Sequence, residues 1–196
     1  QGQGYLTDDL TDQGIAFIES HVNEPFLAYF PYSIPHSPMQ VPDQWWDQHA
    51  NQVLTQPATL AQQEEPNHTR AALAMCENIN HNVGRVLEKL EQLQIADNTI
   101  VVYFSDNGPN GHRFNGGMRG IKGTTDEGGL RSPLLIRWPK EIHAGSTIET
   151  VAGAIDLRPT LLDLCGVADS KTQPLDGISH RAELLGGKAN SQSRLL

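Results

Sequence analysis

Residues 99–108 read Thr99-Ile100-Val101-Val102-Tyr103-Phe104-Ser105-Asp106-Asn107-Gly108, and this stretch decides the fold. β-Branched and aromatic side chains fill its first part, which is typical of a buried strand in a parallel sheet. Open α/β sheets place their chemistry just beyond the carboxyl ends of strands, where Asp106 and Asn107 stand. Carboxylate and amide oxygens suit Ca²⁺ or Mg²⁺. The same residues are good turn formers, so a plain strand-to-turn connection stays open at this point.

The segment 109–133 is dense in glycine and in positively charged residues. It leads into a second strand-like run at 134–139. Glycines let a backbone approach a ligand closely, and arginine or lysine side chains suit an anion. The alternative is a solvated surface loop with ordinary exposed charges. Since loops of this length inside compact domains are usually functional or disordered, the segment is a candidate site.

Composition narrows the classes of protein. The chain has 196 residues, 38% of them hydrophobic and 19% charged, which fits a globular domain with a sizeable core rather than a disordered chain. No apolar run approaches the ~20 residues of a membrane-spanning helix. The formal net charge of −9 argues against a nucleic-acid partner. A local group of cations still allows an anionic substrate.

Helix-like and strand-like segments alternate, which predicts an α/β fold with a mostly parallel central sheet flanked by helices. The predicted elements are a helix over 8–20 capped by Thr7, a strand over 26–32, a helix over about 69–93, the two strands around the Gly-rich loop, a short strand near 150–154, and a helix from about 157 closed by Gly166. Residues 45–67 are polar and Gln-rich and are predicted to be irregular. No repeat or domain boundary is visible, so residues 1–196 are predicted to form one domain, with a tail after about 171 that frays.

An apolar stripe on the long predicted helix follows the 3.6-residue period and predicts its core-facing side. The stripe comprises Ala72, Met75, Cys76, Ile79, Val83, Val86, Leu87 and Leu90. Cys76 is therefore expected to pack as a small apolar residue, and two cysteines do not make a disulfide framework.

The stretch 105–139 resembles the type I sulfatase (arylsulfatase) family of the alkaline phosphatase superfamily. In that family a metal-binding Asp-Asn-Gly is followed by a Gly-rich loop, a catalytic Lys, a Thr-Thr-x-Glu-Gly-Gly turn and a strand ending in Trp-Pro. This chain carries each element in that order. Further segments that resemble family motifs are 5–10, 25–38, 156–166 and 174–179. The resemblance covers nearly the whole chain and implies a partial alkaline phosphatase-like fold.

The resemblance also implies roles for single residues. Asp106 and Asn107 match the metal ligands, with Ca²⁺ the expected ion and Mg²⁺ the alternative. Lys122 matches the catalytic lysine that contacts a sulfate oxygen. His36, in Pro35-His36-Ser37-Pro38, matches the histidine that contacts the sulfate as donor or acid.

Substrate recognition is assigned to the Gly-rich loop. His112 and Arg113 stand where a substrate-facing loop is expected, so they are the candidates for recognising the group that bears the ester; a plain surface loop is the alternative. Glu127 and Arg131 flank the Gly128-Gly129 turn and are expected to brace the loop.

One departure from the family is large. Sulfatases of this type carry a Cys-x-Pro-x-Arg or Ser-x-Pro-x-Arg motif, whose Cys or Ser becomes a formylglycine nucleophile. Neither Cys76 nor Cys165 stands in that pattern, and no serine does. The sequence is therefore expected to be a later portion of such an enzyme, with the formylglycine upstream, and to be inactive alone.

The implied function is metal-dependent hydrolysis of a sulfate ester on a sulfated small molecule or glycan. Two other interpretations stay open: a phosphate or phosphonate ester hydrolase of the same superfamily, and a non-catalytic scaffold or assembly fragment. An incomplete sheet exposes strand edges, so self-association, or binding of a missing N-terminal segment, is expected. The resemblance favours a periplasmic or secreted location.

Overall fold

The computed structural model describes residues 4–58, 60–168 and 174–188. The chain divides into two compact units, one formed by 1–99 and 103–134 and the other by 100–102 and 135–196. The described residues form the helices α1 (Leu6–Ser20), α2 (Asp43–His49), α3 (Pro66–Gln92), α4 (Glu127–Leu130), α5 (Leu157–Leu164) and α6 (Arg181–Leu184), and the strands β1 (Val101–Phe104) and β2 (Leu134–Arg137). Short 3₁₀ turns lie at Ala61–Gln63, Ala96–Asn98 and Ala154–Asp156.

The long helix α3 organises the first unit, and both α1 and α2 pack against it. It begins at Pro66, three residues before the predicted start, because proline is well suited to the first turn, where no backbone N–H is needed. Its buried side chains include Ala71, Ala72, Ala74, Met75, Ile79 and Leu90. The predicted stripe is thus confirmed in part, but Cys76 is exposed, so its predicted packing in the core is wrong.

A polar cluster joins α1 to α3. The Asp8 carboxylate oxygen Oδ1 accepts hydrogen bonds from Asn78 Nδ2 at 2.8 Å and from Asn82 Nδ2 at 2.7 Å. Both asparagines are fully buried. Because buried polar groups are costly without partners, this cluster fixes how the two helices meet.

The predicted mostly parallel sheet is not confirmed, since the described strands form one two-stranded sheet. Its strands run antiparallel, because Ser105 N, just after β1, donates to Pro133 O, just before β2, at 3.3 Å.

Residues 26–32, predicted as a strand, belong to no helix or strand of the structure. Their burial alternates with period two, and Leu27 is 83% exposed. A strand needs a ladder partner, and this segment has none among the described residues. Residues 150–153 of the second predicted strand also lack a ladder partner among the described residues, and Ala154 begins a 3₁₀ turn.

Other local predictions were wrong for identifiable reasons. Thr7 does not cap α1: the helix begins at Leu6, and Thr7 is buried in its first turn, where its carbonyl accepts Thr11 Oγ1. The segment 45–67 is predicted to be irregular, but it contains most of α2. The two tryptophans of α2 give this otherwise polar helix an apolar side.

The second unit centres on α5, which packs against α6 and the turn at Ala154–Asp156. Gly166 closes α5 as predicted, with a φ of +65° that favours glycine. Part of the tail predicted to fray lies outside the described residues, but 174–188 carry α6. No helix in the described ranges is long and apolar enough to cross a membrane.

We expect Asp8→Ala to lower the free energy of unfolding by about 1–3 kcal/mol, because one N–H of each of two buried amides loses its acceptor. Asp9→Ala is the matched control: it removes an exposed acceptor of Gln13 and should change stability by about 0.5 kcal/mol or less. Urea denaturation of the two variants measures both. Equal losses would show that the buried cluster contributes nothing specific.

Candidate functional site

The Gly-rich loop folds back on the residues that follow β1, and all of it belongs to the first unit. Three backbone hydrogen bonds hold residues 105–109 in place: Ser105 N to Pro133 O at 3.3 Å, Gly108 N to Gly129 O at 2.9 Å, and Lys122 N to Pro109 O at 2.9 Å. A fourth bond, from the Ser132 hydroxyl to the Ser105 carbonyl, is 2.6 Å long. The backbone of Lys122 is therefore held at Pro109, two residues after Asn107.

Glycines make this folding possible because the backbones approach each other too closely for side chains. A Cβ on Gly108 would lie 1.9 Å from the carbonyl oxygen of Gly128, and one on Gly128 would lie 2.5 Å from that of Gly120. A Cβ on Gly129 would lie 2.4 Å from the carbonyl oxygen of Thr124. No real Cβ tolerates such distances, so the glycines here are structural requirements of the site.

Asn115 braces the loop from inside, a role that the sequence did not indicate. Its side chain is 9% exposed, and its Nδ2 donates to the carbonyls of Met118 at 2.9 Å and Gly120 at 3.0 Å. An Asn-Gly-Gly run predicts a turn, but nothing in it shows that the amide points inward.

The loop cations differ in whether they have partners. Arg119 pairs with Asp126 at 3.4 Å, Arg131 with Glu127 at 2.7 Å, and Arg113 donates to His68 Nδ1 at 2.9 Å. The Glu127–Arg131 pair spans α4, which fits the predicted bracing role. Lys122, by contrast, is half-buried, and its ammonium has no hydrogen bond or ion pair within the described chain. It is the loop cation that is available for an anion.

Arg113 connects the loop to α3. Its Nη2 also donates to the Asn110 carbonyl at 2.7 Å. Burial lowers its pKa, while Cys76 and Glu64 raise it, and the guanidinium stays charged. Although Cys76 is an exposed residue, desolvation by the protein around its thiol raises the thiol pKa, so that cysteine is not a low-pKa nucleophile. The two hydrogen bonds of Arg113 hold its side chain in position.

His112 is half-buried, and its Nδ1 is shielded from solvent without a partner among the described residues. A buried polar atom without a partner is costly, and a ligand or a neighbouring segment would satisfy it. Its predicted role in substrate recognition stays a prediction.

Asp106 and Asn107 carry the predicted metal ligands. Asp106 is exposed and Asn107 half-buried, and neither side chain bonds to another described residue. Ca²⁺ and Mg²⁺ are bound by oxygen ligands, and the side-chain oxygens of a carboxylate and an amide without other partners are of that kind. Two such residues do not complete a coordination shell, and no group of three His, Cys, Asp or Glu residues that could hold a metal occurs in the described ranges.

His36 is exposed between two cis prolyl bonds, at Pro35 and Pro38. Its Nδ1–H donates to the Ser37 carbonyl at 2.8 Å, since a carbonyl can only accept. Nε2 is then the ring nitrogen that is left to contact a ligand. In the part of the chain that the structure describes, no hydrogen bond joins His36 to the Gly-rich loop, so the common sulfate contact that the resemblance implies for His36 and Lys122 stays a prediction.

Comparison with known proteins identifies what this arrangement is similar to. The sulfatase family model matches residues 1–167. The chain is 31% identical to the uncharacterized sulfatase YdeN of Escherichia coli K12, over 90% of this chain and 30% of the relative. It is 29% identical to N-acetylgalactosamine-6-sulfatase of Canis lupus familiaris, over 95% of this chain and 34% of the relative. The chain thus spans about a third of the length of these curated relatives.

Solved structures agree with these relatives. The structure of Ps i-CgsB superposes with a TM-score of 0.80 at 29% identity, over 94% of this chain and 39% of that one. The same protein has been solved in complex with k-i-k-neocarrahexaose. The phosphonate monoester hydrolase SpPMH of Silicibacter pomeroyi, at 24% identity and a TM-score of 0.62 over 97% of this chain and 44% of that one, shows a likeness of fold alone.

We expect Gly108→Ala to lower the free energy of unfolding by about 1–3 kcal/mol or more, because the new methyl group overlaps the Gly128 carbonyl. The matched control is Gly84→Ala in α3, where a Cβ meets open space; it should stabilise the chain by about 0.5–1 kcal/mol through helix propensity. Thermal and urea unfolding compare the two. A Gly108→Ala variant as stable as the parent would contradict the packing described above.

Proposed function

This chain belongs to the sulfatase family, and on that premise we propose that the complete protein hydrolyses a sulfate ester with the help of a divalent cation. One observation carries the proposal. Lys122 stands in a tightly packed loop, half-buried, with an ammonium that no described carboxylate neutralises. A cation in that position is suited to bind an anionic group brought by a substrate.

Lys122 supplies charge stabilisation. Its backbone donates to the carbonyl of Pro109, two residues after Asn107, and the proposal places its ammonium beside the sulfate. A preorganised cation beside a sulfate oxygen neutralises the charge that develops as the ester bond breaks. A lysine suits this role because its ammonium is a compact point charge.

His36 supplies a proton. Because Nδ1–H is held by the Ser37 carbonyl, the ring's second nitrogen, Nε2, is the atom that exchanges protons. When it is protonated, Nε2–H donates to a sulfate oxygen or to the oxygen of the leaving group, which acid catalysis requires. This role needs His36 to approach Lys122 and belongs to the proposal.

Asp106 and Asn107 would hold the cation, because their side-chain oxygens are of the right type and have no described partner. When bound, the cation polarises the sulfate as a Lewis acid. The other ligands and the covalent nucleophile would come from outside the sequence given, since no Cys-x-Pro-x-Arg or Ser-x-Pro-x-Arg occurs in it. The chain by itself is therefore expected to be inactive.

We propose a sulfated saccharide as the substrate. The names of relatives support this class: one is an N-acetylgalactosamine-6-sulfatase, and Ps i-CgsB was solved with k-i-k-neocarrahexaose. His112 and Arg113 are the residues proposed to meet the group that bears the sulfate. A phosphate or phosphonate ester remains the second class, but the neighbour that suggests it supports the fold only. No observation favours a non-catalytic scaffold.

Lys122→Ala in the complete protein should lower kcat for 4-nitrophenyl sulfate by about 10²–10³-fold, because a preorganised charge at the transition state is lost. Arg119→Ala is the matched control in the same loop: its side chain is 88% exposed and already paired with Asp126, so activity should stay within about twofold of the parent. Steady-state kinetics with both variants measure the difference.

The chain of this sequence alone serves as the blank in that assay and should show no turnover, since loss of a nucleophile typically costs many orders of magnitude. Equal activity of the Lys122→Ala variant and the parent would sink the assignment of the lysine.

A further inference from the structure

A cleft of about 500 Å³ opens in the first unit, between the segment that follows His36 and the start of α3. Its walls include Met39, Val41, Trp46, Asn67 and His68. The volume lies within the range of about 300–1,000 Å³ that is usual for small-molecule sites. Nothing in the mechanism proposed above uses this cleft.

The lining has the chemistry of a site for a neutral, hydroxylated ring. The half-buried indole of Trp46 offers a flat apolar surface beside Met39 and Val41. The described lining contains no lysine, arginine or carboxylate, so an ionic ligand would find no counter-charge there. Apolar walls with a few placed polar groups are typical of specific small-molecule sites.

Three polar side chains line the cleft, Gln40, Asn67 and His68, and the last two present N–H donors. Asn67 Oδ1 accepts from Arg70 at 3.0 Å, which leaves its amide N–H groups as the remaining bonding groups. His68 Nδ1 accepts from Arg113, since a guanidinium can only donate, so the neutral ring carries its proton on Nε2. Two N–H donors beside an aromatic face suit the hydroxyl oxygens and the apolar face of a pyranose.

The cleft adjoins Arg113, one of the residues proposed to recognise the substrate. His68, in the cleft wall, accepts a hydrogen bond from Arg113 at 2.9 Å, and Arg113 lies on the loop that carries Lys122. A saccharide whose sulfate lies at the proposed site can therefore extend a neighbouring ring into this space.

We infer that this cleft is a saccharide subsite in which Trp46 stacks on an unsulfated pyranose ring of the substrate and Asn67 and His68 hydrogen-bond to its hydroxyls. The inference rests on the proposed function for its substrate class. It adds a binding site, and a stacking residue, outside the sulfate-binding residues.

The test uses the complete protein and the variants Trp46→Ala and Trp46→Phe, with Gln44→Ala on the same short helix as control. The substrates are a disaccharide that contains N-acetylgalactosamine 6-sulfate and 4-nitrophenyl sulfate, which has no pyranose ring. Trp46→Ala should raise KM for the disaccharide by about five- to tenfold with kcat within about twofold, and should leave 4-nitrophenyl sulfate unaffected. Trp46→Phe should restore most of the affinity, and Gln44→Ala should match the parent.

A binding measurement that does not depend on turnover tests this inference separately from the proposed function. Isothermal titration with the unsulfated disaccharide should show affinity in the parent and in Trp46→Phe, and a loss in Trp46→Ala. If the parent hydrolyses neither sulfate ester, the proposed function fails while the titration still tests the cleft. An unchanged Trp46→Ala affinity, or an equal loss of activity on both substrates, would overturn the subsite.

Discussion

The close approach of Gly108 to the Gly128-Gly129 pair is the constraint on which the candidate site depends. Backbone bonds and the absence of side chains together bring the start and the end of a long loop into contact. A loop closed in this way loses the conformational freedom that a solvated loop of the same length keeps. The loop loses this conformational entropy when the chain folds and not when a ligand binds, so its charged side chains are already positioned before binding.

The charges of the loop follow from that closure. Arg119 and Arg131 meet carboxylates within the returning half of the loop, and Arg113 reaches α3. These contacts stabilise the loop but occupy its cations. Lys122 remains the loop cation without a described partner, and the side chains of Asp106 and Asn107 have no described partner either. The paired arginines therefore stabilise the loop, whereas the unpaired side chains form no described contact that would stabilise the fold.

Local sequence patterns were enough to predict several of the helices and strands. The 3.6-residue stripe predicted α3 to within a few residues, and the apolar run before Ser105 predicted β1, because both signals lie within one element. The family motifs assigned metal and sulfate roles to single residues, and those roles stay predictions. The structure shows that Lys122 is half-buried without a described partner.

Long-range contacts could not be predicted in this way. The bond from Asp8 to Asn78 joins residues 70 positions apart, and no periodicity reports it. The extended segment 26–32 has the alternation of a strand, but whether it pairs depends on a neighbour that the segment does not encode. His68 accepts a hydrogen bond from Arg113 and also lines the cleft. It lies in α3, where the 3.6-residue pattern of apolar residues indicates packing and gives no sign of either contact.

A crystal structure of the complete protein with Ca²⁺ and sulfate tests the central claim most directly. We predict that an Asp106 carboxylate oxygen and the Asn107 amide oxygen lie about 2.3–2.6 Å from the cation. The same structure should show Lys122 Nζ and His36 Nε2 within hydrogen-bond distance of sulfate oxygens. A sulfate bound elsewhere, or a His36 ring out of hydrogen-bond reach of the sulfate, would contradict the account.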